Sequence, residues 1–291
     1  MPELPEVETV RKGLNNLLDS FFIQKLEVNN KRVIASDGGS EKFTEMLIGS
    51  TVGSWNRRGK YLFASLQKQL GIDSKGEIIF QNIGWWGVHL RMTGQFHWLK
   101  KPKAPCKHTR VRLWNKYGEE LRFIDTRNFG QMWWVPPDKS VEEGISGIKK
   151  LGPEPFSKAF NEKYLKSKLI KSNRKIKSLL LDQSIIAGIG NIYADESLFL
   201  AGIIPHKKSN QVNDIEITKL CKSIIHVLKI SIRKGGTTFS DFRDLSGASG
   251  SYGEEAFVYQ RANKTCKVCN FRIKREKING RGTHWCPNCQ T

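Results

Sequence analysis

The sequence predicts an α+β multidomain protein: an N-terminal β-sandwich with a leading helix, a C-terminal helical domain and a four-cysteine β-hairpin module. Short β-rich runs follow one amphipathic helix in the first half of the chain. From about residue 158 the apolar residues recur with helical periodicity. Four of the six cysteines lie in the last 26 residues. We therefore expect a sandwich domain, a linker, a helical domain and a cysteine module, at 1–137, 138–157, 158–260 and 261–291.

The first helix is predicted from Pro5 to about Leu18. Proline suits the first turn of a helix, because an N–H there would have no partner within the helix. Apolar side chains recur at the spacing of one helix face, at Val7, Val10, Leu14, Leu17 and Leu18. This face packs the start of the chain against the body of the protein.

From Phe22 to Val135 the sequence favours strands. Alternating or β-rich runs stand between Gly, Asn, Asp and Pro signals, as in KLEVNN, KYLFASL, GEIIFQN, TRVRLW and LRFID. Many short strands after one helix predict a β-sandwich. Pro136-Pro137 and the later LGPEPF run indicate the linker.

Helical spacing dominates the second half, in segments at about 158–170, 174–182, 191–201 and 214–234. Gly235-Gly236 ends the last of them. Asn191 follows a Gly188-Ile189-Gly190 turn and is predicted to cap its helix. The glycines would let backbone N–H groups approach a phosphate, which is typical of a helix-turn-helix variant that grips a DNA backbone.

The charge balance predicts a polyanionic partner. The chain has 48 Lys and Arg residues against 28 Asp and Glu, a formal net charge of +20 that is spread along its length. Basic side chains that neutralise phosphates release counterions and supply most non-specific affinity for nucleic acid. A basic face kept for solubility or for an anionic membrane surface is the alternative that composition leaves open.

The start of the chain does not look like a targeting segment. MPELPEVETV is acidic where a signal peptide would be basic and then apolar, and no stretch reaches the roughly 18 uncharged apolar residues of a membrane span. We expect a cytoplasmic protein that loses only Met1 and has no membrane partner.

The cysteine spacing is the strongest local signal. Two Cys-x-x-Cys pairs, sixteen residues apart, predict one tetrahedral structural zinc ion held by Cys266, Cys269, Cys286 and Cys289. His284 is a competing ligand by type, but its place favours an ordinary histidine. Arg281 would lie at the tip of the second hairpin, either as a solvated cation or as a phosphate contact. Cys106 and Cys221 are interpreted as structural.

The chain terminus has its own chemistry. Removal of Met1 would leave Pro2 as a free secondary amine, and an α-amine with a pKa of about 7.7 to 8.0 is partly neutral and nucleophilic near neutral pH. Attack on a sugar C1′ would give an iminium ion, an electron sink for eliminating the neighbouring phosphate. Glu3 and Glu6 lie near this amine, and a carboxylic acid there could protonate the sugar oxygen. Alternatively, the glutamates only favour a helix N-terminus.

A basic and apolar group recurs in the strand region, in RRGKY, HLRMTG and DTRNFG. A duplex from which one nucleotide has been extruded leaves a hole that apolar or planar side chains must fill. Met92, Arg127 and Phe129 have suitable side chains. The alternative is that Met92 and Phe129 are core residues and Arg127 is a surface cation.

Together these motifs resemble the formamidopyrimidine-DNA glycosylase (Fpg, or MutM) family of bacteria. The resemblance rests on seven sequence motifs that occur here in the same order as in the family. They are PELPEVE, RRGKYL, HLRMTG, DTRNFG, LGPEP, DQSIIAGIGNIYADESLF and GGTTFSDF. It implies a two-lobed fold with a helix-two-turn-helix domain and a zinc finger, and DNA crossing the cleft. The implied activity is a bifunctional DNA glycosylase and AP lyase of base excision repair. It would act as a monomer at the nucleoid on double-stranded DNA with oxidised purines or abasic sites.

The resemblance also implies roles for individual residues. Pro2 would form the Schiff base, Glu3 would donate a proton, Lys60 would act in β-elimination and Arg281 in δ-elimination. Met92, Arg127 and Phe129 match the group that fills the void, and Arg127 would read the cytosine opposite the lesion. Backbone contacts are implied for His108, Lys177 and Asn191, and a place in the lesion pocket for Glu6.

Two departures from the family pattern are visible. The family's VYGR run is Val258-Tyr259-Gln260-Arg261 here, and the loop that usually contains Gly-Tyr-Phe reads SGASGSYGEEAF, which puts lesion gating by that loop in doubt. An endonuclease VIII-like enzyme for oxidised pyrimidines is the sister alternative, disfavoured by Leu4. A non-catalytic zinc-ribbon protein and a ribosome-associated basic protein are alternatives from other classes.

Overall fold

The structure, a computed structural model, describes residues 1–18, 20–238, 245 and 247–291. The chain divides into two units. The sandwich unit comprises Met1–Pro2, Glu6–Lys149 and Thr238–Gly250, and the helical unit comprises Glu3–Pro5, Lys150–Thr237 and Ser251–Thr291. The sequence-based boundaries at 137, 157 and 260 stay a prediction. The GGTTFSDF run spans 235–242, and its last four residues, 239–242, lie outside the described residues. So does Ser246, which belongs to the loop linked to lesion gating.

The first helix is confirmed as α1, Leu4–Leu17, and its predicted apolar positions Val7, Val10 and Leu14 are buried. The other elements up to residue 149 are β1 (Phe21–Phe22), β2 (Lys25–Val28), α2 (Gly39–Leu47), β3 (Thr51–Arg58), β4 (Tyr61–Ile72), β5 (Ile78–His89), β6 (Gly94–Leu99), β7 (Thr109–Trp114), β8 (Glu120–Asp125), β9 (Gln131–Val135), α3 (Val141–Gly144) and α4 (Ser146–Lys149).

The predicted β-sandwich is confirmed. One sheet has the strand order β1-β3-β4-β5-β9 and the other β2-β7-β8-β6, with antiparallel pairing throughout. Trp55 and Trp86 from the first sheet pack edge to face, 4.9 Å between ring centroids, and Phe96 from the second lies 6.1 Å from Trp86. Aromatic pairs of this geometry stabilise a core beyond the area they bury.

Helix α2 was not predicted, and the expectation of strands throughout 22–135 is wrong there. Phe43 and Leu47 are both fully buried and stand four residues apart, so they lie on one helix face. A helix of nine residues is too short for its helical period to stand out in the sequence between segments with strand-like patterns.

The helical unit contains the predicted helices. They are α5 (Glu162–Leu169), α6 (Ile176–Leu180), α7 (Asn191–Ala201) and α8 (Asp214–Arg233), followed by α9 (Tyr252–Glu255), β10 (Lys274–Ile278) and β11 (Arg281–Trp285). Helices α7 and α8 run antiparallel, since the Tyr193 hydroxyl near the start of α7 hydrogen-bonds Ser231 near the end of α8 at 2.5 Å. Gly202 ends α7 with a φ of 73°, a conformation that favours glycine. In the described part of the chain, no helix is long and apolar enough to cross a membrane.

Candidate active site and DNA interface

In the sandwich unit, the chain terminus borders a groove. Pro2 is buried, whereas Met1 is 44% exposed and lines a groove of about 380 Å³. Met92 and Phe129 line the same groove. Met1, the residue before the predicted nucleophile Pro2, therefore shares a groove with two of the side chains predicted to fill a vacated base position.

Those side chains are held on two loops joined by a buried carboxylate. Asp125 is fully buried, and its side chain accepts hydrogen bonds from the Thr93 hydroxyl and from the Gly130 N–H, the latter at 2.7 Å. The Arg127 N–H donates to the Thr93 hydroxyl oxygen at 3.0 Å. Asp125 thus fixes the HLRMTG loop against the DTRNFG turn. Neither Asp125 nor Thr93 was predicted as a functional residue, although both lie inside the quoted motifs.

The exposure of two loop side chains excludes the interpretation that they are core residues. Met92 is 37% exposed and Phe129 is 52% exposed, so neither is a core residue. The Arg127 guanidinium lies 5.3 Å from the centre of the Phe129 ring. The sandwich unit therefore presents one cation and two apolar side chains to solvent from a braced turn.

Lys60 lies in the tight turn between β3 and β4, where Gly59 has a φ of 57°. Its side chain is 6% exposed. His89 stands beside it on β5, opposite Tyr61. Burial, together with the charges of Arg91 and Lys60, lowers the pKa of His89 to about 3. His89 is therefore neutral at neutral pH, and its Nδ1 accepts a hydrogen bond from the Arg91 N–H at 2.9 Å. No sequence signal indicated this role of His89.

Two further predicted residues belong to the sandwich unit. Glu6 is 2% exposed in the first turn of α1. His108 precedes β7, and its carbonyl accepts a hydrogen bond from the Asp125 N–H at 3.0 Å. His108 therefore adjoins Asp125, the residue that braces the turn.

In the helical unit, Glu3 binds the start of α7. Its carboxylate accepts hydrogen bonds from the backbone N–H groups of Ile192 at 3.0 Å and Tyr193 at 3.4 Å. The prediction that Asn191 caps α7 is wrong: Gly190 occupies the cap position without a side-chain bond, and Asn191 is the first helical residue. A carboxylate suits this place, because the helix N-terminus carries unsatisfied donors and a partial positive charge.

The glycines before α7 make room for the chain terminus. A Cβ on Gly190 would lie 2.2 Å from Cδ of Glu3, and one on Gly188 would lie 2.6 Å from Leu4. The Leu4 N–H also donates to the Gly188 carbonyl at 3.0 Å. In this structure the turn binds Glu3 and Leu4, whereas the sequence had suggested a phosphate.

We expect Gly190→Ala to displace Glu3. The added methyl group needs the position of the Glu3 carboxyl carbon, so the variant should lose about 1–3 kcal/mol in free energy of unfolding. Base excision should fall with it. Gly71→Ala is the matched control, since nothing lies within 4 Å of a Cβ there. Thermal unfolding and single-turnover excision measure the two effects, and an unchanged Gly190→Ala enzyme would contradict the placement of Glu3.

Lys177 is fully buried below the β10–β11 hairpin. Its ammonium donates to the Gly282 carbonyl at 3.0 Å and the Thr283 hydroxyl at 2.8 Å, and forms an ion pair with Asp195 at 2.7 Å. Burial lowers the pKa of Lys177, and Asp195 opposes that shift. These three contacts use all three donors of the ammonium.

The same hairpin is tied to the start of α7. The Asn191 side-chain amide donates to the Gly282 carbonyl at 2.9 Å. Asn279 and Gly280 form the hairpin turn with positive φ, and Arg281 follows them as the first residue of β11. Glu3 and Arg281 are both close enough to shift the pKa of Lys177. The helical unit thus brings together Glu3, Lys177, Asn191 and Arg281.

The four predicted cysteines converge. Their sulfur atoms all lie within 4.8 Å of one another, with 3.9 Å between Cys266 and Cys289 and 3.4 Å between Cys269 and Cys286. A tetrahedral zinc ion with Zn–S bonds of about 2.3 Å needs sulfur atoms about 3.8 Å apart, so the cluster fits one structural zinc.

The electrostatics of the cluster also favour a cation. The backbone N–H of Phe271 lowers the pKa of Cys269 to about 6, whereas burial and the neighbouring thiols raise the pKa of Cys289. A bound cation is what allows several thiolates to share this space. His284 is not part of the cluster: its backbone N–H donates to Oδ2 of Asp195 at 2.8 Å, and its side-chain Nδ1 lies 3.4 Å from the same oxygen. Cys221 is buried and Cys106 is exposed, and both lie outside the cluster.

A braced apolar turn, a proline at the chain terminus and a zinc hairpin fixed to a helix N-terminus define a zinc-finger DNA glycosylase. Family models agree along the chain: the formamidopyrimidine-DNA glycosylase N-terminal domain matches residues 1–132, and its H2TH domain matches residues 151–243. The zinc finger found in FPG and IleRS matches residues 263–291. The chain belongs to the formamidopyrimidine-DNA glycosylase family.

Relatives and solved structures match over the full length. The formamidopyrimidine-DNA glycosylase of Prochlorococcus marinus strain MIT 9313 is 59% identical over 290 residues, and that of Parasynechococcus marenigrum is 54% identical over 290 residues, each covering 100% of both chains. Lactococcus lactis Fpg in complex with abasic-site DNA has a TM-score of 0.86 at 34% identity, covering 99% of each chain. The same enzyme in complex with Fapy-dG DNA has a TM-score of 0.86 at 34% identity, covering 99% of this chain and 100% of that one.

Proposed function

We propose that this protein is a bifunctional DNA glycosylase and AP lyase of base excision repair. It excises oxidised purines, 8-oxoguanine and formamidopyrimidines, from duplex DNA and then cleaves the strand by β,δ-elimination. One observation carries the proposal: Met1, which is bonded to Pro2, lines the same groove as Met92 and Phe129. This supports Pro2 as a nucleophile that works close to side chains suited to replace an extruded base.

The chemistry follows from the mature terminus. The Pro2 amine bonds to C1′ of the damaged nucleoside and gives up its N–H proton, while the bond from C1′ to the base breaks. Glu3 then supplies a proton to the sugar ring oxygen, and the bond from that oxygen to C1′ opens. The resulting iminium ion withdraws electrons from C2′, so that loss of a C2′ proton expels the 3′ phosphate. Lys60 serves this β-elimination, and Arg281 serves the δ-elimination that releases the 5′ phosphate.

The DNA contacts are divided between the two units. Met92, Arg127 and Phe129 fill the space left by the extruded nucleotide, and Arg127 reads the cytosine opposite it. His108 and Asn191 contact the backbone, and Glu6 belongs to the lesion pocket. A backbone contact by Lys177 requires one of its three present bonds to open. In its buried state, Lys177 acts as a positioning residue for the hairpin that carries Arg281.

The family match supports the purine branch over the endonuclease VIII-like alternative. The same match makes the non-catalytic zinc-ribbon and ribosome-associated alternatives unnecessary. We further propose that the protein works as a monomer in the cytoplasm at the nucleoid. The names of the relatives, from Prochlorococcus and Parasynechococcus, support a bacterial DNA-repair setting.

The test is excision from duplexes that carry 8-oxoguanine opposite C or opposite A, with borohydride trapping in parallel. We expect faster excision opposite C, and Arg127→Ala should remove most of that preference, since one good base contact discriminates by about 1–3 kcal/mol. Lys139→Ala, an exposed cation of the same unit, is the control. Equal rates opposite C and A in the wild-type enzyme would contradict the role of Arg127. Excision of oxidised pyrimidines alone would overturn the purine assignment.

A further inference from the structure

The helical unit has a second surface, at the end of α7 opposite to the proposed DNA contact. Asn191 begins α7 and Ala201 ends it, so the two ends lie about 15 Å apart along the helix axis. At the Ala201 end, α7, α8 and the cysteine module enclose an open groove of about 480 Å³. This volume lies in the range of pockets that bind a ligand or a peptide side chain.

The groove has apolar walls. Phe199 and Leu200 line it from α7, and Val268, which lies between two cysteines, lines it from the cysteine module. Val268 leaves 66% of its surface exposed and Leu200 is half-buried, whereas Phe199 is only 5% exposed and stacks on Phe257, with 5.1 Å between the ring centroids. An apolar side chain that entered here would find a preformed surface.

The rim of the groove is basic. Lys219 and Lys222 line it from α8 and are exposed. The same helix face continues at intervals of three and four residues with His226, Lys229 and Arg233, all exposed. Among the residues that the structure describes, no carboxylate forms an ion pair with any of these five side chains.

The acidic residues of α8 do not neutralise the positive charge of this rim. Asp214 and Glu216, in its first turn, are paired with Lys166 and Lys207 at 2.7 Å and 2.6 Å. Lys219 and Lys222 are thus available to a partner with negative charge. Surface cations of this kind direct association and orientation more than they add affinity.

We propose that this surface docks an acidic, extended protein segment. One large apolar side chain of the segment enters the groove between Phe199 and Val268, and flanking carboxylates pair with Lys219 and Lys222. A phosphate backbone would use the lysines but leave the apolar walls without a counterpart. A second copy of this chain is opposed by its own net charge of +20. The occupant is therefore a protein partner that can bind while DNA occupies the other end of α7.

The probe is a dye-labelled twelve-residue peptide of Asp, Glu and Ser with one central Phe, followed by fluorescence anisotropy with the full chain. We expect saturable binding that weakens at least about tenfold in K219E/K222E, because two attractive contacts become repulsive. The matched control K100E/K101E makes the same change in net charge at exposed lysines of the sandwich unit and should bind the peptide as the wild type does.

The groove is tested separately from the lysines. A peptide with Ala in place of the central Phe should bind at least about tenfold more weakly. Val268→Asp should have the same effect, whereas Val268→Ile should not; zinc content and excision activity check that both variants are folded. Failure of the wild-type protein to bind the Phe peptide would overturn the proposal, as would equal binding of the Ala peptide. A loss of duplex affinity in K219E/K222E equal to the loss of peptide affinity would assign the surface to DNA instead.

Discussion

Pro2→Gly will reduce borohydride-trapped adduct and strand cleavage by about 100-fold or more. Proline gives an iminium ion that has no nitrogen proton to lose, so the electron sink stays cationic. Glycine gives an imine that must first be protonated. A preparation that keeps Met1 has an amide nitrogen at Pro2 and should form no adduct at all.

Duplex binding should change little in these variants, because Pro2 is one small contact among many basic ones. Gel shift on a duplex with a non-reactive abasic analogue measures this. Pro102→Gly, in an exposed loop, is the control and should cleave as the wild type does. Mass spectrometry of the reduced adduct identifies the linked residue. A linkage on any residue other than Pro2, or undiminished cleavage by the Met1-retaining form, would disprove the nucleophile assignment.

Cys286→Ser will lose zinc and DNA affinity together. Cys286 is fully buried and packs with Cys266, Phe199 and Ile273 in a small core that has few other apolar members. Structural zinc contributes about 10–16 kcal/mol to such modules, more than this core can replace. We expect zinc to fall from one ion per chain to a small fraction, and duplex affinity to fall at least about tenfold.

The loss of affinity has a specific structural path. Lys177 and Asn191 hold the Gly282 carbonyl, next to Arg281, so the phosphate contact that we propose for Arg281 depends on the folded hairpin. Cys106→Ser, an exposed cysteine outside the cluster, should keep both zinc and affinity. Elemental analysis and a duplex titration measure the two quantities. If Cys286→Ser kept its affinity after losing zinc, the hairpin would not depend on the metal.

Much of the fold and site could be predicted because the signals are local. The spacing of Cys266, Cys269, Cys286 and Cys289 determined the metal site, and the apolar period of α8 with its terminal glycines located that helix almost to the residue. Met92, Arg127 and Phe129 were identified by type and motif, but only the exposure of Met92 and Phe129 excluded a core role for those two residues.

The sequence by itself determined the apolar periods of helices and strands, the turn residues, the cysteine spacing and the proline at the terminus. Each of these depends on residues that are close together in the chain. Only the tertiary structure decided that Glu3 binds the start of α7 across 189 residues and that Lys177 lies beneath the zinc hairpin. It alone identified Asp125 as the brace of the exposed turn. The reason is physical: a buried polar group must find a partner, and that partner is chosen by packing of distant segments, which leaves no periodic trace in the chain.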